Sequence, residues 1–125
     1  MGKEAVTAAR IAPPVGPFSP AVRAGELVYL SGQVAQDPAT GRLIPGDVTL
    51  QTEQVFRNAE AVLRAAGKSF ADVVRVGVFL TDMADFQAMN AVFGRYFEPP
   101  YPARTTVGVV ALPLGAAVEI DMVAR

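Results

Sequence analysis

The chain has 125 residues, 51% of them hydrophobic and 18% charged, with 11 Lys+Arg against 12 Asp+Glu and a net charge of -1. That composition supports one hydrophobic core and excludes disorder, and the balanced charge argues against nucleic acid, whose phosphates call for a basic excess. Cysteine and histidine are both absent, which removes disulfides, thiolate nucleophiles, thiol–zinc sites, the Ser–His–Asp relay and the commonest metal ligand.

The opening segment Met1-Gly2-Lys3-Glu4-Ala5-Val6-Thr7 has no long apolar run and does not read as a signal peptide. No stretch approaches the ~20 apolar residues that span a bilayer, so the expected location is cytoplasmic. No repeat or interior linker divides the chain, and residues 1–125 are expected to form one domain.

A short extended piece is expected before the loop Pro13-Pro14-Val15-Gly16-Pro17, and Leu27-Val28-Tyr29-Leu30-Ser31 reads as a strand closed by Gly32. Asp37-Pro38-Ala39-Thr40-Gly41 is a turn in which Pro presets φ and Gly accepts a positive one. After Pro45-Gly46, Thr52, Val55, Phe56, Ala59, Val62, Leu63 and Ala66 recur at helical spacing, with Asp47 as N-cap and Gly67 past the C-terminus. The β-branched run Val73–Leu80 predicts a buried strand.

Asp82 is placed to cap a second helix with the stripe Phe86, Met89, Phe93 and Phe97, ended by Pro99-Pro100. Two strands follow, Ala103 to Val110 and Ala116 to Ala124, joined by Leu112-Pro113-Leu114-Gly115 and expected as a hairpin. The order predicts an α+β fold: a mixed sheet with two helices packed on one face. The other face, rich in small and β-branched residues, predicts a homo-oligomer.

Without Cys and His, any catalysis falls to Arg, carboxylates, hydroxyls, Lys, backbone amides and water. Arg104 sits early in a strand of small and apolar residues. It is either a strand-edge partner of Asp or Glu, or a guanidinium waiting to clamp a carboxylate or phosphate bidentately. Glu119 alternates with Val118 and Ile120, so it is either a solvated outward carboxylate or a group facing Arg104's cleft, as strand register dictates. Dinucleotide, P-loop and HExxH patterns are missing.

Several segments occur together in order: Gly16-Pro17-Phe18-Ser19-Pro20-Ala21-Val22, Tyr29-Leu30-Ser31-Gly32-Gln33, Asp37-Pro38-Ala39-Thr40-Gly41, Val78-Phe79-Leu80-Thr81-Asp82-Met83, Pro102-Ala103-Arg104-Thr105-Thr106-Val107 and Leu112-Pro113 with Val118-Glu119-Ile120. In these the chain closely resembles the RidA/YjgF family of enamine/imine deaminases over nearly its whole length. The resemblance implies a chorismate-mutase-like protomer and a homotrimer with ligand sites between protomers. It also implies cofactor-free, metal-free hydrolysis of 2-aminoacrylate-type enamines and imines, that is, 2-imino acids, to 2-oxo acids and ammonia.

By the same resemblance Arg104 holds the substrate carboxylate and Glu119 serves the water, while Phe18, Ser31, Gly32, Asn90 and Thr106 line the pocket. Two positions depart from the family's commoner pattern. Phe18 replaces a Tyr, removing a phenolic hydroxyl, and Thr106 replaces a Cys. A trimeric carboxylate-binding module without catalysis is the alternative that the same residues allow.

Overall fold

The apolar stripe after Pro45-Gly46 forms helix α1, Val48–Ala65, in the computed structural model, which describes residues 2–7, 10, 11 and 14–125. Asp47 caps it through a 3.0 Å bond from Leu50 N–H. At the other end Lys68 N–H bonds the Leu63 carbonyl at 2.8 Å and Gly67 N–H that of Arg64 at 3.0 Å, with Gly67 at φ +75°. That pair of bonds is a Schellman stop, which needs a left-handed residue and finds it in glycine. Thr52, Val55, Phe56, Ala59, Val62, Leu63 and Ala66 are all buried, as the spacing predicts.

Among the described residues six strands form one sheet: β1 (Glu4–Val6), β2 (Ala21–Ala24), β3 (Leu27–Gln33), β4 (Val73–Leu80), β5 (Ala103–Gly108) and β6 (Val118–Ala124). Their spatial order is β1-β2-β3-β6-β4-β5, antiparallel throughout except for β4 and β5. The sheet is therefore mixed. Helix α2, Phe86–Phe93, joins α1 on one face, where Val28, Leu30, Val76, Val78, Leu80, Val118, Ile120, Met122 and Ala124 are buried. The other face presents Tyr29, Arg75, Phe79, Thr105, Val107, Glu119 and Asp121.

Phe56 anchors the core. Its ring stacks on Tyr96 at 4.5 Å and meets Phe70, Phe93 and Phe97 edge-on at 5.8, 5.8 and 5.9 Å. Edge-to-face geometry of this kind adds about 1 kcal/mol per pair beyond burial. Two buried amides of α1 tie down the loops beyond the sheet. Asn58 donates to the carbonyls of Val34 and Gln36 at 3.2 and 2.8 Å, and Gln51 accepts from Ala117 N–H at 2.9 Å.

Three expectations need correction. The last two strands are no hairpin, because β5 runs parallel to β4 and β6 inserts between β3 and β4. The reason is connectivity: β4 reaches β5 through α2, and a strand–helix–strand crossover yields parallel neighbours. Asp82 caps a short 3-10 turn, Met83–Asp85, rather than α2, and α2 stops before Phe97, which is buried all the same. Strand β2 forms at Ala21–Ala24, where no strand is expected, while the described part of the Pro-rich stretch before it is loop, as expected. Of that loop, Pro13 lies outside the described residues and 14–17 carry neither helix nor strand.

Candidate active site

Four of the residues singled out in the sequence meet at one cavity of about 340 Å³: Phe18, Ser31, Gly32 and Glu119, with Gln33 and Leu114 beside them. Ser31 fixes the loop that carries Phe18. Its hydroxyl donates to the Ser19 carbonyl at 2.6 Å and its N–H to that of Pro20 at 2.9 Å. The Phe18 ring is half-exposed and supplies wall without a hydroxyl.

Glu119 reaches this cavity from β6, opposite Phe79 of β4, on the face the helices leave uncovered. Burial raises its proton affinity above the ordinary carboxylate value, and the nearby Asp121 carboxylate raises it further. Both effects disfavour a second negative charge in a partly dry site. A carboxyl so placed is a better proton acceptor than an exposed one.

Arg104 and Asn90 meet elsewhere, at a second cavity of about 320 Å³ lined also by Phe93, Tyr101 and Pro102. Arg104 lies on β5 opposite Val76, on the helix-covered face. Its guanidinium sits 4.6 Å from the centre of the Phe93 ring and 5.6 Å from that of Phe86, and donates to Asn90 Oδ1 at 2.7 Å. Among the described residues no carboxylate lies within ion-pair distance of it. The strand-edge ion pair is therefore not what Arg104 makes. Two ring faces and one amide oxygen orient the cation and leave the rest of its fork to an incoming anion.

Within one chain Arg104 and Glu119 do not share a cleft. Thr106, opposite Val78, is half-buried on the helix side and lines neither cavity. Sequence reasoning assigned Phe86 and Phe93 to the core stripe and missed their second role beneath Arg104. It also missed Leu114, which lines the Glu119 cavity with φ +61°, a left-handed conformation uncommon for leucine. Nothing in the local residue pattern marks that conformation.

A family model described as Endoribonuclease L-PSP matches residues 8–125. The chain is similar to protein DfrA of Myxococcus xanthus, with 48% identity over 99% of this chain and 96% of that protein. It is also similar to a 2-iminobutanoate/2-iminopropanoate deaminase of the mite Dermatophagoides farinae, with 40% identity over 98% of this chain and 97% of that protein. Its fold is similar to the crystal structure of RidA from an Antarctic Psychrobacter, with TM-score 0.93, 43% identity and 98% of both chains covered. The matched length, the shared sheet-and-helix architecture and these identities together establish that the chain belongs to the RidA/YjgF family, the family of the Endoribonuclease L-PSP model.

Proposed function

We propose that the protein is a cytoplasmic, homotrimeric hydrolase of 2-imino acids and their enamine tautomers of the 2-aminoacrylate type, producing 2-oxo acids and ammonia with no cofactor. The observation that carries this reading is Arg104, a partly buried guanidinium oriented by Phe86, Phe93 and Asn90, with no carboxylate partner among the described residues. A planar cation in that state is suited to the carboxylate common to all such substrates. The deaminase names of relatives support the reaction class.

Because Arg104 and Glu119 occupy opposite faces of the sheet, the complete site takes Arg104 from one protomer and Glu119 from the next. Arg104 fixes the substrate carboxylate and so the imine carbon. Glu119 takes a proton from water as the oxygen bonds that carbon, giving a carbinolamine. Glu119 passes that proton to the imine nitrogen, completing the neutral carbinolamine, then carries the hydroxyl proton to the same nitrogen as C=O forms, the C–N bond breaks, and ammonia leaves behind the 2-oxo acid. Backbone groups at Ser31-Gly32 and Thr106 face the nitrogen end. Free imines already hydrolyse in water, so each tenfold gain asks only ~1.4 kcal/mol of the protein, which this His-free toolkit can supply.

The test generates 2-aminoacrylate from serine with a pyridoxal-phosphate dehydratase and follows oxo-acid formation with and without the protein. Wild type accelerates it and folded, oligomeric Arg104→Ala does not. Equal rates with both, or no acceleration, sink the proposal. The missing hydroxyl at Phe18 favours a second reading, a carboxylate-binding module, which saturable oxo-acid binding without acceleration would support. Ribonuclease activity is not carried over from the family model's description, since the net charge is -1 and no histidine is present for acid–base work.

A further inference from the structure

Strand β6 sends two carboxylates to the uncovered face, Glu119 and Asp121, and each rests on a glycine of a neighbouring strand. Asp121 pairs directly with Gly77 of β4. A Cβ on Gly77 would overlap Asp121 Oδ1 and stand 3.3 Å from its Cγ. Glu119 crosses toward β3, where a Cβ on Gly32 would overlap its Oε2 and stand 2.8 Å from its Cδ. Neither glycine has a positive φ, so the backbone at both positions is open to any residue.

Glycine inside a strand weakens it and often marks a close approach by another group. Here the approaching groups are the two acids, and room, not conformation, accounts for both glycines. The seats hold two like charges along one strand face at the i, i+2 spacing of roughly 7 Å. Among the described residues of one chain, other charged or titratable groups on this face are few, and in the proposed assembly the Arg104 guanidinium of the neighbouring protomer also enters the Glu119 site. Tyr29 of β3 and Arg75 of β4 both stand opposite Val123, and Arg75 donates to Thr105 Oγ1 at 3.4 Å and makes no ion pair with Asp121. From β5 only Ala103, Thr105 and Val107 face this side, and Phe18, Pro113 and Leu114 bring no charge to the Glu119 cavity.

We infer that Asp121, seated on Gly77, is a positioning residue for Glu119: the two glycine seats hold the Asp121 carboxylate beside that of Glu119 on one strand face, where it tunes the carboxylate that activates water. The inference rests on Glu119 acting as the base in imine hydrolysis. Asp121 itself touches no reacting atom in this scheme. Its influence reaches the substrate only through the proton affinity of Glu119, which burial and Asp121 both raise.

Two measurements on the full-length protein test this separately from the reaction. In the first, the Glu119 carboxyl is titrated by carbon NMR in wild type, Asp121→Asn, Asp121→Glu and Gly77→Ala. Asp121→Asn titrates at lower pH than wild type, Gly77→Ala moves the same way by displacing Asp121, and Asp121→Glu stays near wild type. In the second, the pH profile of imine hydrolysis shows its acid limb displaced downward in Asp121→Asn, with a plateau rate reduced by less than about tenfold. Asp121→Glu restores both. An unmoved Glu119 titration in Asp121→Asn overturns the inference, whether or not imines are turned over. So does an acid limb identical in Asp121→Asn and wild type. Absence of hydrolysis by wild type on any imine sinks the assigned reaction, and with it the inferred role of Asp121, even if the titration shows the two carboxylates coupled.

Discussion

Arg104 and Glu119 lie on opposite faces of the same sheet: Arg104 stands opposite Val76 beneath α2, and Glu119 stands opposite Phe79 on the uncovered side. A reaction that uses both therefore needs two chains. If the proposed trimer forms, co-expressed Arg104→Ala and Glu119→Gln chains mixed at random in it regain about a quarter of wild-type activity through sites that draw one intact residue from each. Either variant alone stays inactive. Sedimentation of the mixed sample checks the trimer, and no recovery in mixed trimers rules out a shared site.

Replacing Arg104 by Lys keeps the charge but loses the planar fork that stacks over Phe93 and bonds Asn90. The expected fall in kcat/KM is about 10- to 100-fold, the value of one or two charge-assisted hydrogen bonds. Circular dichroism melts should be nearly unchanged. Wild-type kcat/KM in Arg104→Lys would show that charge alone recruits the substrate.

The raised proton affinity of Glu119 also has a sign in stability. The folded state holds this proton to higher pH than the unfolded chain does, so stability falls as pH rises from the ordinary carboxylate value through the raised one. Glu119→Gln removes that pH-dependent loss. Thermal melts should show the variant gaining on wild type at pH 7 relative to pH 4. In the proposed hydrolysis, activity runs the other way: Glu119 must be ionised to take a proton from water, so the rate should fall as pH drops through the same window.

Phe18→Tyr restores a phenolic hydroxyl to the wall of the Glu119 cavity. One added hydrogen bond to substrate or water is worth ~1 kcal/mol, so kcat should rise by up to about fivefold. A rate equal to wild type would mean that the ring, and not the hydroxyl, is what this wall contributes.

Asn58→Ala tests the scaffold behind that cavity. The amide satisfies the carbonyls of Val34 and Gln36, and Val34 and Gln36 both line the site. Leaving those carbonyls unpaired should cost about 1–3 kcal/mol in urea melts. It should also lower activity more than an exposed substitution such as Arg57→Ala does.

What the sequence determined by itself is local. The stripe of α1, its Asp47 cap and Gly67 stop, the β-branched β4, and the alternation of β6 follow from periodicity and turn chemistry within a dozen neighbouring residues. The absence of Cys and His confines the chemistry, and the ordered motifs carry the family resemblance. Only the tertiary structure decided that β5 lies parallel to β4, that β6 enters the middle of the sheet, and that Arg104 and Glu119 face opposite ways. It also decided that Phe86 and Phe93 carry a cation, and that Gly32 and Gly77 seat two carboxylates. These are pairings between residues far apart in the chain. Their register is set by how whole strands bury their apolar faces together, and no local pattern encodes it.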